Sequence, residues 1–310
     1  MLARIQAIAL NTYREAVRAR ILHGLFALAV LTLGYALVVG AYALNNRNRV
    51  VADLGSATIS AYSIIVAIVL GATSLYRELD LKTIYPILAR PVGRGEYLIG
   101  KFFGTLATML VFIAGNSGLL LIAIGLGVPE GRGRAWLPLL ASGGGMVAAA
   151  WCFERARTWL PIPFSLLILA VGAFIAAPLA GESRVILGQA LFTALEVSIV
   201  SALTLLFASF STPFLTAIFS LCGVIVGRSA DTLAELPVRI FGPTVQQIGA
   251  ALAWVFPNLM IYVPTRAFLA GTAAGVSFMG HLSLAIGQAL GWVVLLLGGA
   301  VLIFRRRDFL

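Results

Sequence analysis

Residues 76–101 read Y-R-E-L-D-L-K-T-I-Y-P-I-L-A-R-P-V-G-R-G-E-Y-L-I-G-K. They lie between two long apolar segments and hold the densest charge in the chain: Arg77, Lys82, Arg90, Arg94 and Lys101, with Glu78, Asp80 and Glu96. Leu81, Ile84, Tyr85 and Leu88 recur at helical spacing, which predicts a short amphipathic helix. Glu78 and Lys82 form an i, i+4 pair on another face. Pro86 weakens this helix, Pro91 pushes Arg90 out of it, and Gly93 and Gly95 allow a turn. A new helix is expected from about Glu96 into the next apolar run. An amphipathic helix between two membrane spans suits a surface where another protein docks.

The flanks decide the fold class. The chain has 310 residues, 60% hydrophobic and 11% charged, with a mean hydropathy of +1.00. Soluble domains carry about 25% charged residues. The reading is an all-α polytopic membrane protein, a single membrane domain over residues 1–310 with no room for a soluble one. The formal charge of +10 would suggest nucleic acid in a soluble protein. Here the basic residues sit at the ends of apolar runs, where topology and anionic lipid explain them, so no nucleic acid is expected. Cys152 and Cys222 lie in apolar runs and read as packing. The run from Ile21 is too long for a cleaved signal, so the first span itself is expected to direct insertion.

Taken in order, residues 1–20 read as an interfacial helix. Apolar runs follow at 22–44, 57–75, 102–127, 135–152, 158–180, 187–208, 213–227 and 282–304, the run at 213–227 being short for a span. A polar loop is expected at 45–56 and a turn at P-E-G-R-G-R, from Pro129. If the two irregular runs at 135–152 and 158–180 do not cross, six spans remain instead of eight. Either count puts both termini on one side. The long stretch 228–281 is expected outside, with an interfacial helix at T-V-Q-Q-I-G-A-A-L-A-W-V-F and an extended piece between Pro257 and Pro264. The inner segments then hold the greater share of Arg and both lysines, Lys82 and Lys101, so the positive-inside rule places both termini in the cytosol.

Several motifs carry the resemblance. R-E-L, K-T-I-Y, L-A-R-P-V-G-R and Y-L-I-G-K fall in order within residues 76–101. N-T-Y-R-E-A-V-R-A-R precedes the first span, F-A-S-F-S-T-P occupies 207–213, P-N-L starts at Pro257, and R-R-R-D-F lies near the end. Together they resemble the ABC-2 type permeases, the membrane subunits of one class of ABC exporter. Within that family they look most like the branch that includes the permease for nitrous oxide reductase maturation; that branch's cargo is not carried over. The resemblance implies an elbow helix at residues 1–21, a cytosolic coupling helix within 76–101, and short outer helices before the last span. It implies a location in the inner membrane of a prokaryote. It implies two permease subunits, identical or paralogous, around a central path, and separate ATPase subunits that bind ATP and Mg, leaving this chain without a cofactor. The residues it places at the ATPase are Glu78, Lys82, Thr83, Tyr85, Arg90, Pro91, Arg94 and Glu96.

Three further motifs bear on the chemistry of the chain. Gly95 to Lys101 matches G-x-x-x-x-G-K, but Phe102 stands where a P-loop needs Ser or Thr, and no strand precedes it. It reads as coincidence. Glu196 sits within F-T-A-L-E-V-S-I-V, where a carboxylate in lipid is costly. It is either a site on a translocation path or a helix–helix hydrogen bond, and Asn116 is a weaker case of the same kind. An ion-coupled carrier or intramembrane enzyme built on Glu196 is the alternative function. His23 and His281 fall at edges of spans on opposite sides and cannot share a metal. No catalytic triad or paired carboxylate stands in an apolar run, so the chain is not expected to be an enzyme.

Overall fold

Most of the apolar runs become helices of near-spanning length, and the chain order alternates them between two ends of a bundle. The computed structural model describes residues 2–43, 46–80, 93–152, 158–272 and 277–306. Among these residues the regular structure is helical, with no strand. The elements are α1 (Leu2–Arg18), α2 (Arg20–Tyr42), α3 (Arg47–Asp80), α4 (Arg94–Gly125), α5 (Pro129–Cys152), α6 (Pro161–Ile175), α7 (Ala180–Ala208), α8 (Pro213–Arg228), α9 (Ala230–Ala234), α10 (Val238–Val255), the 3-10 turn Met260–Tyr262, α11 (Arg266–Leu269) and α12 (Phe278–Arg306). Five helices, α2, α3, α4, α7 and α12, are long and apolar enough to cross a membrane, and α6 and α8 are shorter apolar helices.

α1 marks one end of the bundle. Its buried face, Thr12, Tyr13 and Ala16, lies on the first turns of α4, where Gly100 and Gly104 let the two backbones approach. A Cβ on Gly104 would sit 2.5 Å from the Ala9 carbonyl oxygen, and one on Gly100 2.7 Å from the Ile8 side chain. This G-x-x-x-G spacing is the small-residue device of membrane helix packing. Trp159, just before α6, stacks on Tyr13 at 6.0 Å between ring centroids, with the Arg14 guanidinium 4.7 Å from its ring. Tyr97 and Leu98 of α4, Ala208 at the end of α7, and Ala300 and Phe304 of α12 form a second small core there. The end of α7, the start of α4 and the end of α12 therefore share the α1 end, and the two chain ends lie together.

The opposite end gathers the other helix termini. Gly125 at the end of α4 abuts Ile175 and Ala176 after α6, and Gly127 lies near Asn48 at the start of α3. Between the ends, α4 and α6 meet at Gly118 and Gly172: a Cβ on Gly172 would be 2.5 Å from the Gly118 carbonyl oxygen. α3, α4 and α7 bury most of their residues, whereas α2 and α12 bury few.

Several boundaries differ from those expected. The polar loop at 45–56 is largely the first turns of α3, because its Asn, Arg and Asp residues extend a helix into water at no cost in buried polarity. P-E-G-R-G-R is not a turn but the start of α5, with Pro129 at the first helical position and Glu130 in the first turn, both favourable there. The helix predicted from Glu96 begins two residues earlier. The run at 158–180 gives a helix of only 15 residues, started by Pro161. The piece between Pro257 and Pro264 contains a 3-10 turn instead of being extended throughout. The helix expected at T-V-Q-Q is present as part of α10, which is broken at Gly242, whose φ of 80° suits glycine. Leu81, Ile84, Tyr85 and Leu88 of the expected amphipathic helix lie outside the described residues.

Candidate functional site

At the α1 end, both flanks of residues 76–101 are tied to the bundle. Lys101, 1% exposed, donates from Nζ to the Ser74 carbonyl at 2.8 Å and to Ser74 Oγ at 2.7 Å, and its ammonium lies 5.5 Å from the Tyr97 ring centroid. This joins the last turns of α3 to the first of α4. Arg94 Nη1 donates to the carbonyls of Phe304 at 3.4 Å and Arg305 at 2.9 Å. A cation is a favoured partner for carbonyls at a helix C-terminus. Glu96 accepts from the Gly93 N–H at 3.2 Å, capping its own helix, and lies 3.8 Å from Arg4. Gly95 to Lys101 is thus continuous helix rather than a phosphate-cradling loop. Of the residues implied at the ATPase, Arg94 and Glu96 are seen in these bonds, and Glu78 lies on the last turn of α3. Lys82, Thr83, Tyr85, Arg90 and Pro91, like the side chain of Glu78, lie outside the described residues.

The second polar centre is inside the bundle. Glu196 of α7 is 0% exposed. Arg228, the last residue of α8, grips it with two parallel bonds, Nε to Oε1 at 2.7 Å and Nη2 to Oε2 at 2.9 Å. Nη2 also donates to Ser60 Oγ of α3 at 2.8 Å. This fork-to-fork geometry is the strong form of a carboxylate–guanidinium pair. Helical rise explains why the two meet. α7 ends and α8 begins at the α1 end, with 12 residues from Glu196 to Ala208 and 15 from Pro213 to Arg228. At 1.5 Å per residue both charges stand roughly 18–22 Å from that end, well inside a hydrocarbon core of about 30 Å. α8 stops there, and the segment after it folds back, with the Leu259 N–H donating to Gly227 O at 2.9 Å.

A second ion-pair set lies towards the opposite end. Arg266 of α11 bonds both Asp53 of α3 and Glu182 of α7. Burial works to lower the Arg266 pKa, but Glu182 and Asp53 outweigh it and the net direction is upward, so this cation is permanent. Between the two sets lies a cavity of about 230 Å³, lined by Asp53, Ser56, Ser60, Gln189, Arg228 and Arg266 among others. Asn116 does not line it; it is buried on α4 and donates to the Phe112 carbonyl at 2.9 Å. His23 bonds Ala19 O and His281 bonds Ile261 O, at opposite ends.

The sequence pattern singled out Glu196 but not its partner. By pattern Arg228 and Arg266 are outer residues and Asp53 belongs to a polar loop, while nothing marks Ser60 or Glu182. One signal was available: the run 213–227 is short for a span, so the residue ending it falls at mid-depth.

A family model described as "ABC-2 family transporter protein" matches residues 6–309. The chain belongs to the ABC-2 transporter family. It is therefore a multi-pass membrane protein and a permease subunit of an ABC transporter, the kind of subunit that works with an ABC ATPase. A search of curated proteins returns no match. For this permease the two centres have distinct physical characters. The α1 end couples the flanks of residues 76–101 to three helices, and the interior holds a paired charge beside a polar cavity.

Proposed function

We propose that the permease forms half of an exporter's membrane unit: two copies, or one copy and a paralogue, enclose a central path, and a separate ATPase that binds ATP and Mg docks on residues 76–101. Both chain ends and that docking stretch face the cytosol of a prokaryotic cell, across its inner membrane. The observation that carries this reading is the bonding around the stretch. Lys101 ties α3 to α4 and Arg94 ties α4 to α12, so a push on the docking stretch is passed to three helices at once rather than absorbed by a loop. Rigid movement of packed helices is the ordinary form of such switching. α1, fixed on Gly100 and Gly104, moves with α4. The sparsely buried α2 and α12 leave apolar surface for the second subunit and for lipid.

Charge reversal tests the docking. Changing Lys82 and Arg90 together to glutamate is expected to reduce detergent capture of the ATPase by at least tenfold and to abolish coupled ATP hydrolysis, with insertion unchanged. Arg94→Glu is expected to loosen the end of α12 as well, because Arg94 bonds it. A double reversal that leaves capture and hydrolysis intact would make the stretch an ordinary connector.

Orientation is tested separately. In a Cys152→Ser, Cys222→Ser background, a cysteine at Arg132 is expected to react with an impermeant maleimide added to intact cells, and one at Arg306 only after lysis. The reverse pattern would invert the membrane topology and remove the docking reading with it.

A further inference from the structure

The cavity beside the Glu196–Arg228 pair holds hydrogen-bond donors that the fold does not use. Arg228 commits Nε and Nη2 to Glu196 and Ser60. Its Nη1, with two more N–H groups, has no partner among the described residues, on a side chain 33% exposed. Arg266 commits Nη1 and Nη2 to Asp53 and Glu182, and its Nε has no partner among the described residues. Ser56 is 7% exposed, and its hydroxyl is buried without a partner among them. All three residues line the same cavity. The charged acceptor in the lining is already engaged: Asp53 takes Arg266 and lies 4.0 Å from Arg49. What remains unspent in the lining is mainly donor capacity. A buried hydroxyl without a partner is costly, and with free guanidinium N–H groups beside it this argues for an occupant with acceptor oxygens.

We propose that this cavity binds an oxyanion group, a phosphate, sulfonate or carboxylate, through Arg228 Nη1, Arg266 Nε and Ser56 Oγ. Glu196, Glu182 and Asp53 outnumber the two arginines by one, and Arg49, 4.0 Å from Asp53, brings the set to neutral. The group is therefore held by directed hydrogen bonds more than by net attraction, and the binding is weak enough to release. A planar or tetrahedral oxyanion suits guanidinium donors better than a cation or a neutral sugar does. Arg228 and Ser60 join α3, α7 and α8 at the cavity wall, so occupancy bears on the packing of three helices. This assignment rests on the permease reading only in making the bound group part of the cargo or of a lipid that accompanies it.

The test is thermal unfolding of the purified permease in a neutral detergent at pH 7, at constant ionic strength. One arm adds inorganic phosphate against chloride, and the other adds phosphatidylglycerol against phosphatidylcholine. A rise in Tm that saturates in the millimolar range or below is expected in at least one arm. A rise with phosphate identifies a soluble anion; a rise only with phosphatidylglycerol identifies a lipid head group. Ser56→Val is expected to weaken the response at least tenfold while the ligand-free protein still folds. If that variant fails to insert, Ala57→Leu, which adds bulk to the lining of the same cavity, carries the test. No rise in either arm, or a rise that survives the cavity-filling variant, overturns the assignment. No ATPase is present in this measurement, so its failure leaves the docking reading untouched, and loss of ATPase capture leaves this one untouched.

Discussion

Arg228→Leu is expected to destabilise the permease by about 3–5 kcal/mol, because it leaves Glu196 as an uncompensated charge in the bundle. Glu196→Leu should cost a similar amount by stranding Arg228, whose Nη2 would keep only Ser60. The double variant Glu196→Leu, Arg228→Leu removes both charges and should recover most of the loss, since replacing a buried ion pair by apolar residues is often near neutral. Unfolding of the purified protein, read as a double-mutant cycle, measures the coupling directly. If either single variant unfolds within about 1 kcal/mol of the parent, the pair is not the interior lock described here. Transport by the double variant then separates stability from function: a stable but inactive protein would place Glu196 and Arg228 on the cargo's path.

Gly172→Leu is expected to separate α4 from α6. The new Cβ would meet a backbone oxygen, that of Gly118, at 2.5 Å, and the Leu121 Cβ at 2.9 Å. Backbone cannot rotate away as a side chain can, so the helices themselves must move apart. Overpacking commonly costs about 1–3 kcal/mol and more where backbone must shift. The loss should appear as a lower Tm and a lower yield of monodisperse protein. Gly143→Leu is the matched control, since nothing lies within 4 Å of a Cβ at that position. Equal behaviour of the two variants would show that the α4–α6 contact is not the close approach seen here.

Much of the helical framework was legible because bilayer-length apolar runs have few alternatives. Pro129, Pro161 and Pro213 mark helix starts that local chemistry dictates. The first turns of α3 were not legible, because a polar helix leaving the membrane and a polar loop have the same composition. The ion pairs were hidden for a different reason. Glu196 announces itself by being charged in an apolar run, but Arg228 sits at the edge of one, and edges attract arginine for topology alone. Only the lengths of α7 and α8 taken together place the two at one depth. Arg94 shows the converse. The resemblance places it at the ATPase, and its Nη1 also bonds the Phe304 and Arg305 carbonyls, 210 and 211 residues away at the end of α12, a contact that no local pattern reveals.

The Glu196–Arg228 bond also bears on how the chain enters the membrane. Glu196 leaves the ribosome 32 residues ahead of its partner. A charge alone at the centre of an inserting helix costs about 2.5–3.5 kcal/mol, so α7 entering lipid first would carry that cost unrelieved. The joint between the two helices is only four residues long, Ser209 to Thr212, short enough for them to travel side by side. With the pair formed the two helices make one hairpin without net charge, and insertion of the two together is the expected route of lowest cost.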